Sequence, residues 1–498
     1  MTVTEPEVRI AAGVVRGGPA SDLLVFKGIP FAEPPARFAA PQPVEAWTGT
    51  LDALSYGPPP PQSGICGMDT IAGPAEGWLT VNVWTPDLAA NLPVMVWIQG
   101  GGYLFGTSGL PEYDGARLAR EGSVVVVTFN YRVGVEGFAQ IDGAPANRGL
   151  LDQVAALEWV RDNVNAFGGD RDRVTVFGQS AGGGCVAALL AMPQASGLFR
   201  RAIVQSMPGT YFTPELAADI TRVLACDLRL EPHELATIAP GELPAVADAF
   251  MAKIDQYAER WGLAAHRRIP LGPVVDGSTL PSDPWEALAG GAACDVDVIA
   301  GHTRHEQRLL SLIEGVLGQI GEDQAATALN MFAPGPAGVA QYREGGGSPD
   351  ELYDWVHSDW LFRMPSLHLA EAHTGRTYVY ELTWPAPGMG GILGACHGLD
   401  VPLVFGNLTS GQPAMLLGDD LTDAEILSTQ MRNAWTSFAT NGNPGWPEYD
   451  PQERLTRVFD TERTVVPYPE EMSRRIWQDH TFTTLPLKSP SSEGAIRA

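Results

Sequence analysis

From residue 79 onward, short apolar runs and amphipathic stretches take turns along the chain. Leu79-Thr80-Val81-Asn82-Val83-Trp84 alternates apolar with polar, the period of a strand. Leu92 to Ile98 and Ser123 to Phe129 are nearly unbroken apolar runs, which predicts strands buried on both faces. Between Asp152 and Asn163, Val154, Leu157 and Val160 recur at helical spacing; Val174 to Phe177 then predicts a strand and Ser180 opens a second helix. Strand-like runs return at Val296 to Ile299 and Thr377 to Leu382. Such alternation predicts an α/β protein with a large, mixed, mostly parallel central sheet flanked by helices.

Between these runs lie the helical stretches Pro214 to Arg229, Pro244 to Trp261 and Glu322 to Asn330, with no strand of comparable strength. They predict a helical cap over the sheet. Because sheet strands lie on both sides of the cap, residues 1–487 are expected to form one domain with cap insertions at about 210–290 and 310–375. The length of 498 residues alone would suggest roughly three domains of about 150. Pro58 to Pro61 predicts an extended surface loop, and 488–498 a flexible C-terminal tail.

Charge narrows the partners. With 58 acidic against 32 basic residues, the net charge of −26 repels phosphate backbones and anionic lipid, so neither nucleic acid nor membrane is an expected partner. The five cysteines, without CxxC spacing, argue against a zinc site or a dense disulfide scaffold. No metal is expected. Met1 to Arg9 is polar and lacks the basic and apolar regions of a secretory signal, which points to a cytoplasmic protein.

Gly178-Gln179-Ser180-Ala181-Gly182 sits where the strand ending at Phe177 must turn sharply into an apolar helix. That context predicts a strained elbow that lifts the serine hydroxyl into a site, with side chains excluded at 178 and 182. Upstream, Gln99-Gly100-Gly101-Gly102-Tyr103 follows another apolar strand. Bare glycine amides can approach a substrate closely, so Gly101, Gly102 and the N–H of Ala181 are candidates for an oxyanion hole. No Gly-Lys-Ser/Thr ending supports a phosphate loop instead.

A serine hydroxyl needs a base, and in folds with this elbow the acid and then the histidine follow the serine. His397, in Gly394-Ala395-Cys396-His397-Gly398, has the placement to project into a site, whereas His357, His368 and His373 fall in helical polar stretches and His480 near the tail. Glu306 follows the strand Val296 to Ile299 at the carboxyl edge of the sheet; Asp276, Asp295 and Asp400 compete with it for the acid's role.

These motifs, with Phe26 to Pro35, Asn82 to Pro86, Asn147 to Gln153, Phe167 to Asp170, Gln205-Ser206, Pro273 to Gly277 and His397 to Phe405, occur in an order that resembles the type-B carboxylesterases. That family includes bacterial para-nitrobenzyl esterases and the animal cholinesterases. The likeness spans about residues 8–480 and implies an α/β-hydrolase fold with the triad Ser180, Glu306, His397 and Ser206 in support. It implies a serine carboxylesterase that cleaves a small-molecule ester through an acyl-enzyme on Ser180, needs no cofactor, and is a monomer or weak homo-oligomer. A non-catalytic cholinesterase-like binding module is one alternative; a hydrolase of amides, carbamates or lactones, or an acyltransferase, with the same triad is another.

Departures from the family pattern carry information. Gln179 stands where the family usually has Glu, which removes a negative charge beside the imidazole and weakens any preference for cationic alcohols. Asp400 replaces a usual Glu, so hydrogen bonds around His397 are expected to differ. Glu76-Gly77-Trp78-Leu79 stands where the family has Glu-Asp-Cys-Leu, so the resemblance implies no amino-terminal disulfide and a free Cys66. Tyr103, Met207, Tyr211 and Phe212 are candidate pocket residues.

Overall fold

The computed structural model describes residues 5–34, 36–62, 64 and 76–488, so Pro35, Cys66 and the tail beyond Lys488 lie outside the described residues. Its main sheet contains β1 (Gly18–Ala20), β2 (Leu23–Pro30), β3 (Thr80–Thr85), β4 (Leu92–Ile98), β5 (Val125–Phe129), β6 (Gly169–Gln179), β7 (Arg201–Gln205), β8 (Asp297–Thr303), β9 (Thr377–Leu382), β10 (Leu455–Phe459) and β11 (Arg463–Pro467). Their spatial order is β11-β10-β9-β8-β7-β6-β4-β5-β3-β2-β1. Pairing is parallel from β10 through to β5 and antiparallel at both flanks. A small sheet of Glu7–Ile10, Gly13–Arg16 and Thr50–Asp52 stands beside it.

The unbroken apolar runs have a simple cause. Side chains alternate across a strand, and in β4 Val94, Val96 and Ile98 enter one core cluster while Met95 and Trp97 enter another on the opposite face. Both faces are covered by helices, so both sets must be apolar. The expected strand from Ser123 starts two residues later because Ser123 (φ 50°) caps the helix Ala116–Gly122 in a left-handed conformation. Among the described residues no strand of the main sheet falls between Gln205 and Asp297 or between Thr303 and Thr377. No helix there is long and apolar enough to cross a membrane.

Parallel register is what gathers the site. Gly178 of β6 pairs with Ile98 of β4 and Val204 of β7, and Gln205 of β7 pairs with Gly301 of β8. The residues that follow each strand, Ser180, Gln99 to Gly102, Ser206 and the turn before Glu306, therefore emerge along one edge of the sheet. At the elbow the backbone is crowded. A Cβ on Gly178 would lie 2.6 Å from the Gly182 carbonyl, and one on Gly182 would lie 2.1 Å from the Ile98 carbonyl oxygen.

Gly182→Ala is expected to destabilise the fold by about 1–3 kcal/mol, because the atoms it meets are backbone and cannot swing aside. Urea unfolding of the variant beside the parent measures this; an unchanged midpoint would contradict the close approach.

Candidate active site

Ser180 occupies φ 59°, ψ −129°, a conformation that costs a residue with a side chain about 1–3 kcal/mol. The strain is held by the sheet: Ser180 N–H donates to the Gln205 carbonyl at 3.0 Å, and Gly184 N–H to the Ser180 carbonyl at 2.9 Å. Beside it the loop after β4 curls back on itself, with the Gly101 carbonyl accepting from Leu104 and Phe105. Gly101 (φ 119°) and Gly102 (φ 59°) have left-handed backbones. The Tyr131 hydroxyl pins this loop by donating to the Gln99 carbonyl at 2.7 Å. The N–H groups of Gly101, Gly102 and Ala181 donate to no described residue, so they are free to receive a substrate oxygen.

Glu306 is fully buried at the start of the helix Glu306–Ile313. One carboxylate oxygen accepts from Ser206 Oγ at 2.7 Å and from the Thr303 N–H at 2.8 Å. The other meets Nδ1 of His397 at 2.5 Å. Burial on its own would raise this carboxyl's pKa, but His397 and the Ser206 hydroxyl hold it below the usual value. A carboxylate kept ionised against Nδ1 fixes the proton on that nitrogen. Nε2 of His397 is left as an acceptor, and the Gln179 side-chain amide donates to it at 3.1 Å. The Ser180 hydroxyl makes no hydrogen bond to a described residue. Contacts of this kind are often long before substrate arrives and tighten with it.

Asp400 lies one layer below. It is fully buried, makes no hydrogen bond to His397, and instead accepts from Gln205 Nε2 at 2.8 Å and from the Tyr380 hydroxyl at 3.0 Å. The difference from a Glu is legible here: one methylene shorter, the side chain stops at Gln205 and Tyr380. Burial pushes its pKa up to about 6, with Gln205 opposing and the Glu306 charge adding.

A cavity of about 470 Å³ opens over these groups, lined by Gly101, Gly102, Ser180, Ala181 and His397. Tyr103 is on its wall. Met207, Tyr211 and Phe212 are not among its lining residues; all three are buried in the core, where Tyr211 hydroxyl donates to the Gly184 carbonyl at 2.8 Å. After β7, Pro208 reaches the cavity while Met207, Tyr211 and Phe212 are claimed by the core, a distinction that hydrophobicity alone does not make.

Phe362 was not foreseen. Its ring stacks on His397, centroids 4.2 Å apart and planes 29° from parallel, and it lines the cavity. It sits in a π-helical turn, Asp359–Arg363, pinned by Arg363 to Asp359 at 2.8 Å and to Glu470 at 2.9 Å. One extra residue in a helical turn re-aims its neighbours, and no sequence spacing announces it.

A seven-strand parallel core with a strained serine elbow beside unpaired glycine amides defines the α/β-hydrolase fold and the serine hydrolases built on it. The carboxylesterase family model matches residues 4–331 and 341–477, and the chain belongs to that family. It is a serine carboxylesterase, acting on ester bonds. It is 37% identical over 496 residues to the para-nitrobenzyl esterase of Bacillus subtilis (strain 168), covering 95% of this chain and 98% of that one. To the phenmedipham hydrolase of Pseudarthrobacter oxydans it is 34% identical over 485 residues, 92% and 96% of the two chains. The solved structure of the Geobacillus stearothermophilus carboxylesterase EST55 matches with a TM-score of 0.83 at 33% identity, covering 95% of this chain and all (100%) of that one.

The raised pKa of Asp400 gives a signed prediction. The folded protein keeps its proton up to about pH 6, whereas an unfolded Asp loses it near about 3.9. Stability from this group is therefore full below about pH 4 and lost as pH rises toward 6. Asp400→Asn should gain stability over the parent at pH 8 but not at pH 4. Melting curves at both values test this, and a pH-independent difference would refute it.

Proposed function

We propose that Ser180 is the nucleophile, His397 the general base and acid, and Glu306 the group that holds the imidazole. Gly101, Gly102 and Ala181 supply the oxyanion amides. The reading is carried by the 2.5 Å contact of Glu306 with Nδ1 of His397, which commits the other ring nitrogen to the side of the elbow. As substrate enters, the Ser180 hydroxyl approaches Nε2, displaces or shares the Gln179 amide, and gives up its proton while Oγ attacks the ester carbonyl. The carbonyl oxygen, now negative, lies under the three amides, each typically worth about 10²–10³ in turnover. His397 returns the proton to the leaving alcohol, and water repeats the cycle on the acyl-enzyme. Ser206 and Thr303 orient Glu306, and Gln179 contacts the base directly. The substrate is a small-molecule ester, the catalytic unit spans residues 1–487, and free Cys185, Cys226, Cys294 and Cys396 support a reducing, cytoplasmic setting.

Ser180→Ala should abolish the burst of alcohol release from a chromogenic short-chain ester under stopped flow. A burst of normal amplitude would remove Ser180 from this role.

Gln179→Glu places a carboxylate where an amide now donates to Nε2. A nearby negative charge favours the imidazolium, so the acidic limb of the kcat/KM profile should move to higher pH. A profile superimposable on the parent's would show that this side chain does not govern the base.

A further inference from the structure

The same cavity carries a charge that the proposed hydrolytic cycle does not use. Among the described residues, three side chains with formal charge line the cavity: Glu112, Arg267 and Glu314. Two of them answer each other, since Arg267 Nη1 lies 3.7 Å from Glu314 and Nη2 donates to Gln307 at 2.9 Å. Glu112 has no such answer. It is 7% exposed, and beyond its own backbone N–H its carboxylate has no hydrogen-bond or ion-pair partner among the described residues. Burial pushes its pKa up, with no cationic side chain to offset the cost.

The fold holds this carboxylate in place. Glu112 is flanked by Pro111 and by Tyr113, whose ring packs against Trp97 at 5.3 Å and Phe405 at 6.0 Å. Its carbonyl accepts from Asn407 at 3.0 Å. Across the wall, Gly411 (φ 72°) leaves the room: a Cβ there would fall 2.1 Å from Glu112 Oε2. Burying an ionisable group without a partner is costly, and such groups concentrate where a ligand supplies the missing partner. Tyr113 also lines the cavity, so an aromatic residue and the acid share one wall, a combination that favours ammonium over a neutral group.

We propose that Glu112 is a recognition group for a protonated amine, and that the enzyme's preferred esters carry such an amine where it meets this wall of the cavity. The inference rests on the cavity being the ester site. It relocates the attraction for positive charge from position 179, where the amide of Gln179 cannot supply it, to position 112.

Primary n-alkylammonium ions of four to eight carbons and the n-alkanols of equal length are the probes. Binding is measured by calorimetry, and inhibition against a neutral chromogenic ester. At the best chain length the ammonium ion should bind the parent at least tenfold more tightly than the alcohol. Glu112→Gln should reduce that ratio to near one, and Glu112→Asp should keep part of it. Equal affinity of ammonium and alcohol for the parent, or a ratio that Glu112→Gln leaves unchanged, would overturn the proposal. Ammonium that binds by calorimetry without inhibiting turnover would place Glu112 outside the ester site and overturn it as well. Loss of the burst in the parent would instead fail the catalytic reading, and the binding ratio would still stand or fall on its own.

Discussion

The contact between Gly182 and the Ile98 carbonyl is the constraint on which the site depends. Two neighbouring parallel strands end level with each other, and the helix that starts after Ser180 passes so close to the end of β4 that no side chain fits between them. That proximity puts the serine beside the glycine loop without any flexible linker. It also transmits the rigidity of the central sheet to Ser180, whose backbone would otherwise relax out of its unfavourable conformation. The geometry of the proposed site is thus a by-product of backbone packing, and the elbow glycines matter for what they leave empty.

Electrostatics supply the second layer. Two carboxylates lie close to the imidazole in fully buried positions, yet their environments drive them apart. Glu306 receives a hydroxyl, a backbone amide and the ring Nδ1, and stays charged. Asp400 receives an amide and a phenol but no cation, and burial dominates. Two full charges in this dry layer would repel each other, so below about pH 6 the proton stays on the deeper one, Asp400, and Glu306 is the charge beside the ring. The stacked face of Phe362 closes the ring's other side and limits its rotation.

Much of this was legible in the sequence because it follows from period and punctuation. Strands β4 to β6, β8 and β9 betray themselves by apolar runs, β3 by its alternation, and the two glycine motifs by the turns they must allow. Strand β7 begins and ends in polar residues, Arg201 and Gln205, and the helix Thr422–Asn441 buries Ser428, Gln430, Arg432 and Thr436, which blurs its apolar stripe. Tertiary partners, such as the Trp435 indole on Gln205 at 3.1 Å, satisfy those polar groups and cannot be read from the local pattern. Phe362 and Glu112 escaped for a related reason: a π turn and an unpaired carboxylate are defined by what surrounds them. Met207, Tyr211 and Phe212 are the converse case, apolar enough for a pocket but claimed by the core.

These two failures of local reading bear on specificity. The residues nearest the bond to be broken are prescribed by the reaction, and they are the ones a motif reports. The wall that would meet the rest of the substrate is assembled from segments remote in sequence, the turn at Pro111–Tyr113, residues 309–313 in the helix Glu306–Ile313 and the loop around Gly411. Each can change without disturbing the elbow, because none of them carries the register that aligns β4, β6 and β7. On the proposed mechanism, a replacement such as Gln at 179 alters charge close to the base and would touch the rate for every substrate. On the proposed reading, a charge at 112 would act only on the groups that reach it, so selection among esters could proceed there while the chemistry stays intact.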